Sequence, residues 1–149
     1  MTGYEEGITE AGGEFLSDEV KYAEATADRA VTSMEAIMQT HPEGIAIICA
    51  NNDDMAMAAA RTAAKNPAYA NTIFLGFNGD RAACEAILNN ELTMSVAQMA
   101  YEMGYKAVES MVAHLEGETV DSFIDSGSEV VTIDTAEERL ATLDKQLGK

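Results

Sequence analysis

Gly44-Ile45-Ala46-Ile47-Ile48-Cys49-Ala50-Asn51-Asn52-Asp53-Asp54 is the stretch that decides the fold. Six apolar residues in a row, 45–50, suit a parallel strand covered on both faces. Amides and acids follow at once, giving cap chemistry and negative charge at the start of a helix rich in alanine and methionine. Pro67 ends that helix. Thr72–Phe77 reads as the next buried strand, and Asn78-Gly79-Asp80 turns into a helix near Arg81–Leu88. Thr93–Ala97 is a further strand, followed by a long helix, Tyr101–Leu115, with Tyr105, Val108, Met111, Val112 and Leu115 at helical spacing. Glu129–Ile133 reads as a last strand and Ala136–Leu147 as a closing helix.

Working back from residue 44, a helix starts at Asp28, runs through Met34, Ile37 and Met38, and stops at His41-Pro42, where proline forbids helical geometry. Val20, Tyr22 and Ala23 suggest a short strand, and Thr2–Gly13 a helix ended by Gly12-Gly13. Strand and helix alternate with short connections and no linker composition between them. The expected fold is therefore α/β: one domain, residues 1–149, with an open, mainly parallel sheet, helices on both faces and right-handed crossovers.

Composition narrows the function. The 149 residues carry 26 acidic and 9 basic side chains, a net charge of −17. Such a surface repels phosphate backbones and anionic membranes, so no nucleic-acid partner is expected. No apolar run approaches the ~18 residues of a membrane helix. Cys49 and Cys84 lack metal spacing and read as free, core-type thiols. His41 and His114 lie near helix ends with no nucleophile beside them, which suits surface or C-capping roles.

In open α/β sheets ligands sit at the carboxyl ends of the strands. That rule selects Asn52, Phe77, Asn78 and Gln98. Three of these are amides, each with two donors and an acceptor carbonyl. None can act as a nucleophile or a proton shuttle near neutral pH, so no catalytic residue, cofactor or metal is expected. Amides suit a neutral, hydroxyl-rich ligand, and Phe77 offers an apolar face to the carbon side of a sugar ring. The competing reading is that strand-end amides only cap turns and helices.

Several ordered strings add a resemblance over nearly the whole chain. ATADRAVTSMEAIMQTHPEGIAIICANND, ANNDDMAMAAARTA, FLGFNGDRAACEAI and LTMSVAQMAYEMGYKAVE resemble, in order and spacing, segments of type I periplasmic sugar-binding proteins, the ribose- and galactose-binding class of ATP-binding cassette (ABC) transporters. By position, Asn52 is similar to the family asparagine that binds ligand hydroxyls from the C-terminal lobe. Phe77 and Asn78 stand at the family's Phe-Asp pair, and Gln98 at the hinge glutamine. The resemblance implies a monosaccharide or other small polar ligand, a membrane permease as partner, and a periplasmic or extracellular place, a cell-envelope lipoprotein included. Two departures qualify the sugar: Asn78 replaces the family aspartate, and Ala27 replaces an aromatic before Asp28-Arg29.

Effector domains of lac-repressor-type transcription regulators share this fold and are the alternative. They usually carry G-F-D-D and a proline before L-T-T, where this chain has GFNG and NNELTMS, and the helix TAEERLATLDKQL extends past the last strand. Gly3–Gly12 resembles the family helix that follows the first strand of the C-terminal lobe. The resemblance thus implies a C-terminal-lobe-like domain truncated at its N-terminus, lacking an N-terminal lobe and one central sheet strand. That strand's place lies between the segments 20–25 and 45–50. Three ways of closing such a gap are open: 20–25 sliding onto 45–50, the strand near 129–133 filling it, or a second copy sharing an edge as a homodimer, the route favoured here.

Overall fold

Three of the apolar runs become strands because each finds another alongside. In the computed structural model, which describes residues 2–148, these are β1 (Ile47–Cys49), β2 (Ile73–Asn78) and β3 (Met94–Gln98). β1 pairs with β2 and β2 with β3 in parallel, while β4 (Ser128–Val131) joins β3 antiparallel, giving the sheet order β1-β2-β3-β4. The helices are α1 (Thr2–Glu10), α2 (Ala27–Thr40), α3 (Asp53–Ala63), α4 (Arg81–Leu88), α5 (Ala100–Leu115) and α6 (Ala136–Gln146), with single 3-10 turns at Ser17–Glu19 and Pro67–Tyr69. This is the expected open, mainly parallel α/β sheet. β4 ends at Val131, two residues short of the expected strand, because the chain turns there: Thr135 Oγ1 accepts from the Thr132 N–H at 3.0 Å.

Side chains alternate between the two faces of a strand. Phe74, Gly76, Ser95, Ala97 and Val131 share one face, and all are buried. Against them pack Met34 of α2, the alanines Ala56, Ala60 and Ala63 of α3, and Ala83 and Ile87 of α4. Burying a side chain the size of Met34 or Ile87 stabilises by ~1.5–3 kcal/mol. Gly76 lets α3 sit this close, since a Cβ there would run into the Asp53 carboxylate and reach 3.3 Å from the Ala56 Cβ. The opposite face is less covered: Ile47 is 37% exposed, Ile73 39% and Val130 51%. At the free edge of β1, the Tyr4 hydroxyl of α1 donates to the Ala50 carbonyl at 3.3 Å. α5 stands apart, with no buried residue and Tyr101, Tyr105, Val108 and Leu115 in solvent.

The strand expected at 20–25 does not form. The segment is irregular, Tyr22 is 85% exposed, and Glu24 and Ala25 have φ of +47° and +58°, incompatible with extended pairing. Between it and β1 lies a cleft of about 550 Å³ walled by apolar side chains that include Phe15, Val20, Ile37 and Ile48. β1 is therefore an edge strand among the described residues. Neither intramolecular closure is adopted: 20–25 does not pair with β1, and β4 sits at the far edge beside β3.

Candidate functional site

Parallel pairing sets β2 and β3 in register, Phe77 opposite Val96 and Asn78 opposite Ala97, so Asn78 and Gln98 end neighbouring strands. Their side chains meet: Gln98 Nε2 donates to Asn78 Oδ1 at 2.7 Å. Both are half-buried, as is Phe77 beside them. Asn78 has φ +139°, a region sparsely populated by non-glycine residues. Strain of that kind persists only where the surroundings impose it.

Asn52 is placed differently. It is the N-cap of α3: its Oδ1 accepts from the Met55 N–H at 2.8 Å, and its Nδ2 donates to the Ala25 carbonyl at 3.2 Å. No hydrogen bond joins it to the Asn78–Gln98 pair. The capping interpretation of strand-end amides thus holds for Asn52, which keeps one N–H and one lone pair for other partners.

Beneath the amide pair lies a buried polar network that the sequence did not announce. Asp53 has no exposed surface. Its Oδ1 accepts from the Ser95 hydroxyl at 2.6 Å and its Oδ2 from the Asp80 N–H at 3.2 Å. Ser95 Oγ in turn accepts from the Gly79 N–H at 3.1 Å. Burial pushes the Asp53 carboxyl above its usual range, while the bonds from Ser95 and the backbone hold it down. On the other side of the same peptide, Arg139 Nε donates to the Gly79 carbonyl at 3.2 Å, and Arg139 Nη2 donates to the Gln98 carbonyl at 3.0 Å. Gly79 sits at φ +64°, and a Cβ there would collide with Ala97, coming within 2.6 Å of its Cα.

Of the remaining titratable candidates, Cys84 touches this network, its Sγ donating to the Gly79 carbonyl at 4.0 Å. Both cysteines are free, as expected, and burial raises the thiol pKa of each, Cys84 and Cys49. His41 caps the C-terminus of α2, its N–H bonded to the Ile37 carbonyl. Among the described residues no cluster of three or more His, Cys, Asp or Glu could hold a metal ion.

The chain thus has an open α/β sheet with hydrogen-bonding amides at the carboxyl ends of neighbouring strands, set over a buried polar network. The chain belongs to the family described as periplasmic binding protein domain, whose profile matches residues 1–119. It is 32% identical over 96 residues to the ribose import binding protein of Bacillus subtilis, a match covering 64% of this chain and 30% of that one. It is 30% identical, with a TM-score of 0.67, to an ABC transporter solute-binding protein of Bacillus halodurans solved with myo-inositol, over 78% of this chain and 40% of that one. A solute-binding protein of Agrobacterium vitis solved with α-D-tagatopyranose shares the fold at TM-score 0.82 and 17% identity, over 95% of this chain and 47% of that one. The chain thus spans less than half the length of these proteins.

Proposed function

We propose that this chain binds a monosaccharide or similar polyol as the C-terminal lobe of a two-lobe solute-binding protein that delivers its ligand to an ABC-type import permease, in the periplasm or outside the cell. The single observation that carries this reading is the Asn78–Gln98 pair, joined at 2.7 Å at the carboxyl ends of two parallel strands. The pair leaves both Asn78 Nδ2 hydrogens, one Gln98 Nε2 hydrogen and lone pairs on Gln98 Oε1 free. Adjacent sugar hydroxyls can both donate and accept, so they match such a mixed array. Phe77 supplies an apolar surface, and Asn52 its remaining donor and acceptor. The names of the relatives, ribose import and myo-inositol binding, support the ligand class. In this role the chain performs no chemistry, closing with a second lobe around the ligand instead.

Each neutral hydrogen bond is worth ~0.5–1.5 kcal/mol net. A handful from one lobe, with the other side of the ring in water, amounts to millimolar affinity or weaker. Chemical-shift titration of the chain with D-ribose, D-galactose and myo-inositol tests this. The expected result is weak, saturable shifts confined to Asn52, Phe77, Asn78, Gln98 and their neighbours. Shifts elsewhere, or micromolar binding by the chain alone, would contradict it. For the chain on its own we also propose a homodimer through the open edge of β1.

A further inference from the structure

We propose that Arg139, on α6, is a positioning residue for the Asn78–Gln98 amide pair, acting with the buried Asp53–Ser95 pair on the other side. The inference rests on the proposed function only for its effect on sugar binding; its geometric part stands without it.

Arg139 lies in a helix whose composition, AEERLATLDKQ, reads as polar and exposed, yet it is only 4% exposed. A guanidinium is costly to bury unless its donors are satisfied. Here Nε and Nη2 form a fork onto two backbone carbonyls from different strands, Gly79 after β2 and Gln98 at the end of β3. Glu129 of β4 stands 3.8 Å from Nη1. The fork therefore ties together the strand ends that carry the two amides.

The opposite side of the same turn is held just as firmly. The Gly79 N–H is bound by Ser95, and the Asp80 N–H by Asp53. A cation and an anion thus grip the two ends of one peptide group, Gly79 C=O and Asp80 N–H, and Ser95 holds the N–H of the peptide that joins Asn78 to it. That grip explains how Asn78 stays at φ +139°, a conformation its own preferences oppose. It also explains the short bond from Gln98 to Asn78, since the backbone of each partner is fixed within hydrogen-bonding reach. Arg is required rather than Lys because only the planar fork reaches two carbonyls at once.

The test uses the full chain with Arg139→Met, Arg139→Lys and Asp144→Asn. The last breaks the Arg81–Asp144 ion pair that joins α4 to α6, without touching the fork. Side-chain amide resonances of Asn78 and Gln98 are followed by NMR, together with titration by D-ribose and D-galactose. Arg139→Met is expected to move both resonances towards those of solvated amides and to weaken sugar binding about tenfold. Arg139→Lys should lie between it and the parent, and Asp144→Asn should change neither readout even where it lowers Tm. Resonances in Arg139→Met that match those of Asp144→Asn would overturn the proposal. Should Arg139→Met not fold, Arg139→Lys decides in the same way: displaced resonances support the brace and undisplaced ones overturn it. A parent chain that binds neither sugar, with resonances that still move in Arg139→Met, would refute the sugar reading and leave the brace standing.

Discussion

Replacing Ser95 by alanine deletes one oxygen and disturbs two hydrogen bonds that have no water to replace them. Ser95 is fully buried, donates to Asp53 Oδ1 at 2.6 Å and accepts from the Gly79 N–H at 3.1 Å. Losing a bond to a charged group costs ~1.5–3 kcal/mol, and stranding a buried N–H a further ~1–3 kcal/mol. The sum, ~2.5–6 kcal/mol, is a large part of the ~5–15 kcal/mol that stabilises a domain of this size. Ser95→Ala should therefore lower the urea-derived unfolding free energy at neutral pH by about 4 kcal/mol. The pH dependence gives a second check. Burial already raises the Asp53 pKa, and the hydrogen bond from Ser95 is the strongest interaction holding it down. Without Ser95 the carboxyl rises further. A raised folded pKa means protonation favours the native state, so the contribution is present at low pH and lost as pH rises through the folded value. The defect of Ser95→Ala should accordingly shrink as pH falls from neutral through the folded Asp53 value. A cost below about 1 kcal/mol at neutral pH, within the range of an ordinary neutral bond, would refute the buried network as the support of this turn.

Other consequences are as direct. The pKa of His41 is raised above its usual 6.5, chiefly by its bond to Glu19 at 2.7 Å. Its contribution to stability is present below pH 6.5 and lost as pH rises through the folded value; urea midpoints should show that slope in the parent and not in His41→Gln, and equal slopes would remove the effect. Gly79→Ala should cost ~1–2 kcal/mol for the left-handed backbone alone, and more for the collision with Ala97, read as a lowered Tm. An unchanged Tm would mean the turn can slide away from β3. Sedimentation of the isolated chain should show concentration-dependent dimers through β1; a monomer at every concentration tested would exclude that pairing.

The legible parts of this molecule were those where local pattern and tertiary environment agree. The runs 45–50, 72–77 and 93–97 each found a parallel neighbour and a face packed against helices, and each formed within one or two residues of its expected bounds. The segment 20–25 shows the converse. Val20, Tyr22 and Ala23 fit a half-buried strand, but β-propensity is a statement about neighbours, and no strand lies alongside. At the site, Asn78 and Gln98 came together as their places at strand ends suggested. Asn52 took the capping role that its position before Asp53-Asp54 equally allowed. Asp53 read as a favourable charge at a helix start, and only the fold shows it sealed under the turn. Ser95 gave little to read, since the expected strand places it on one face with Thr93 and Ala97, as an ordinary polar position. Arg139 carried no signal, because a charged residue in a charged helix looks solvated until its carbonyl partners are located in space.

The apolar stripe of α5 and the net charge of −17 bear on each other in a way neither does alone. Oily side chains in water draw molecules into clumps, whereas like-charged particles hold one another at a distance. The range of that repulsion is ~10 Å at 0.1 M salt and ~3 Å at 1 M. In dilute buffer the charge keeps stripes on separate molecules from meeting. In concentrated salt the repulsion collapses while the attraction between apolar surfaces does not, so the colloidal behaviour of this chain is governed by ionic strength.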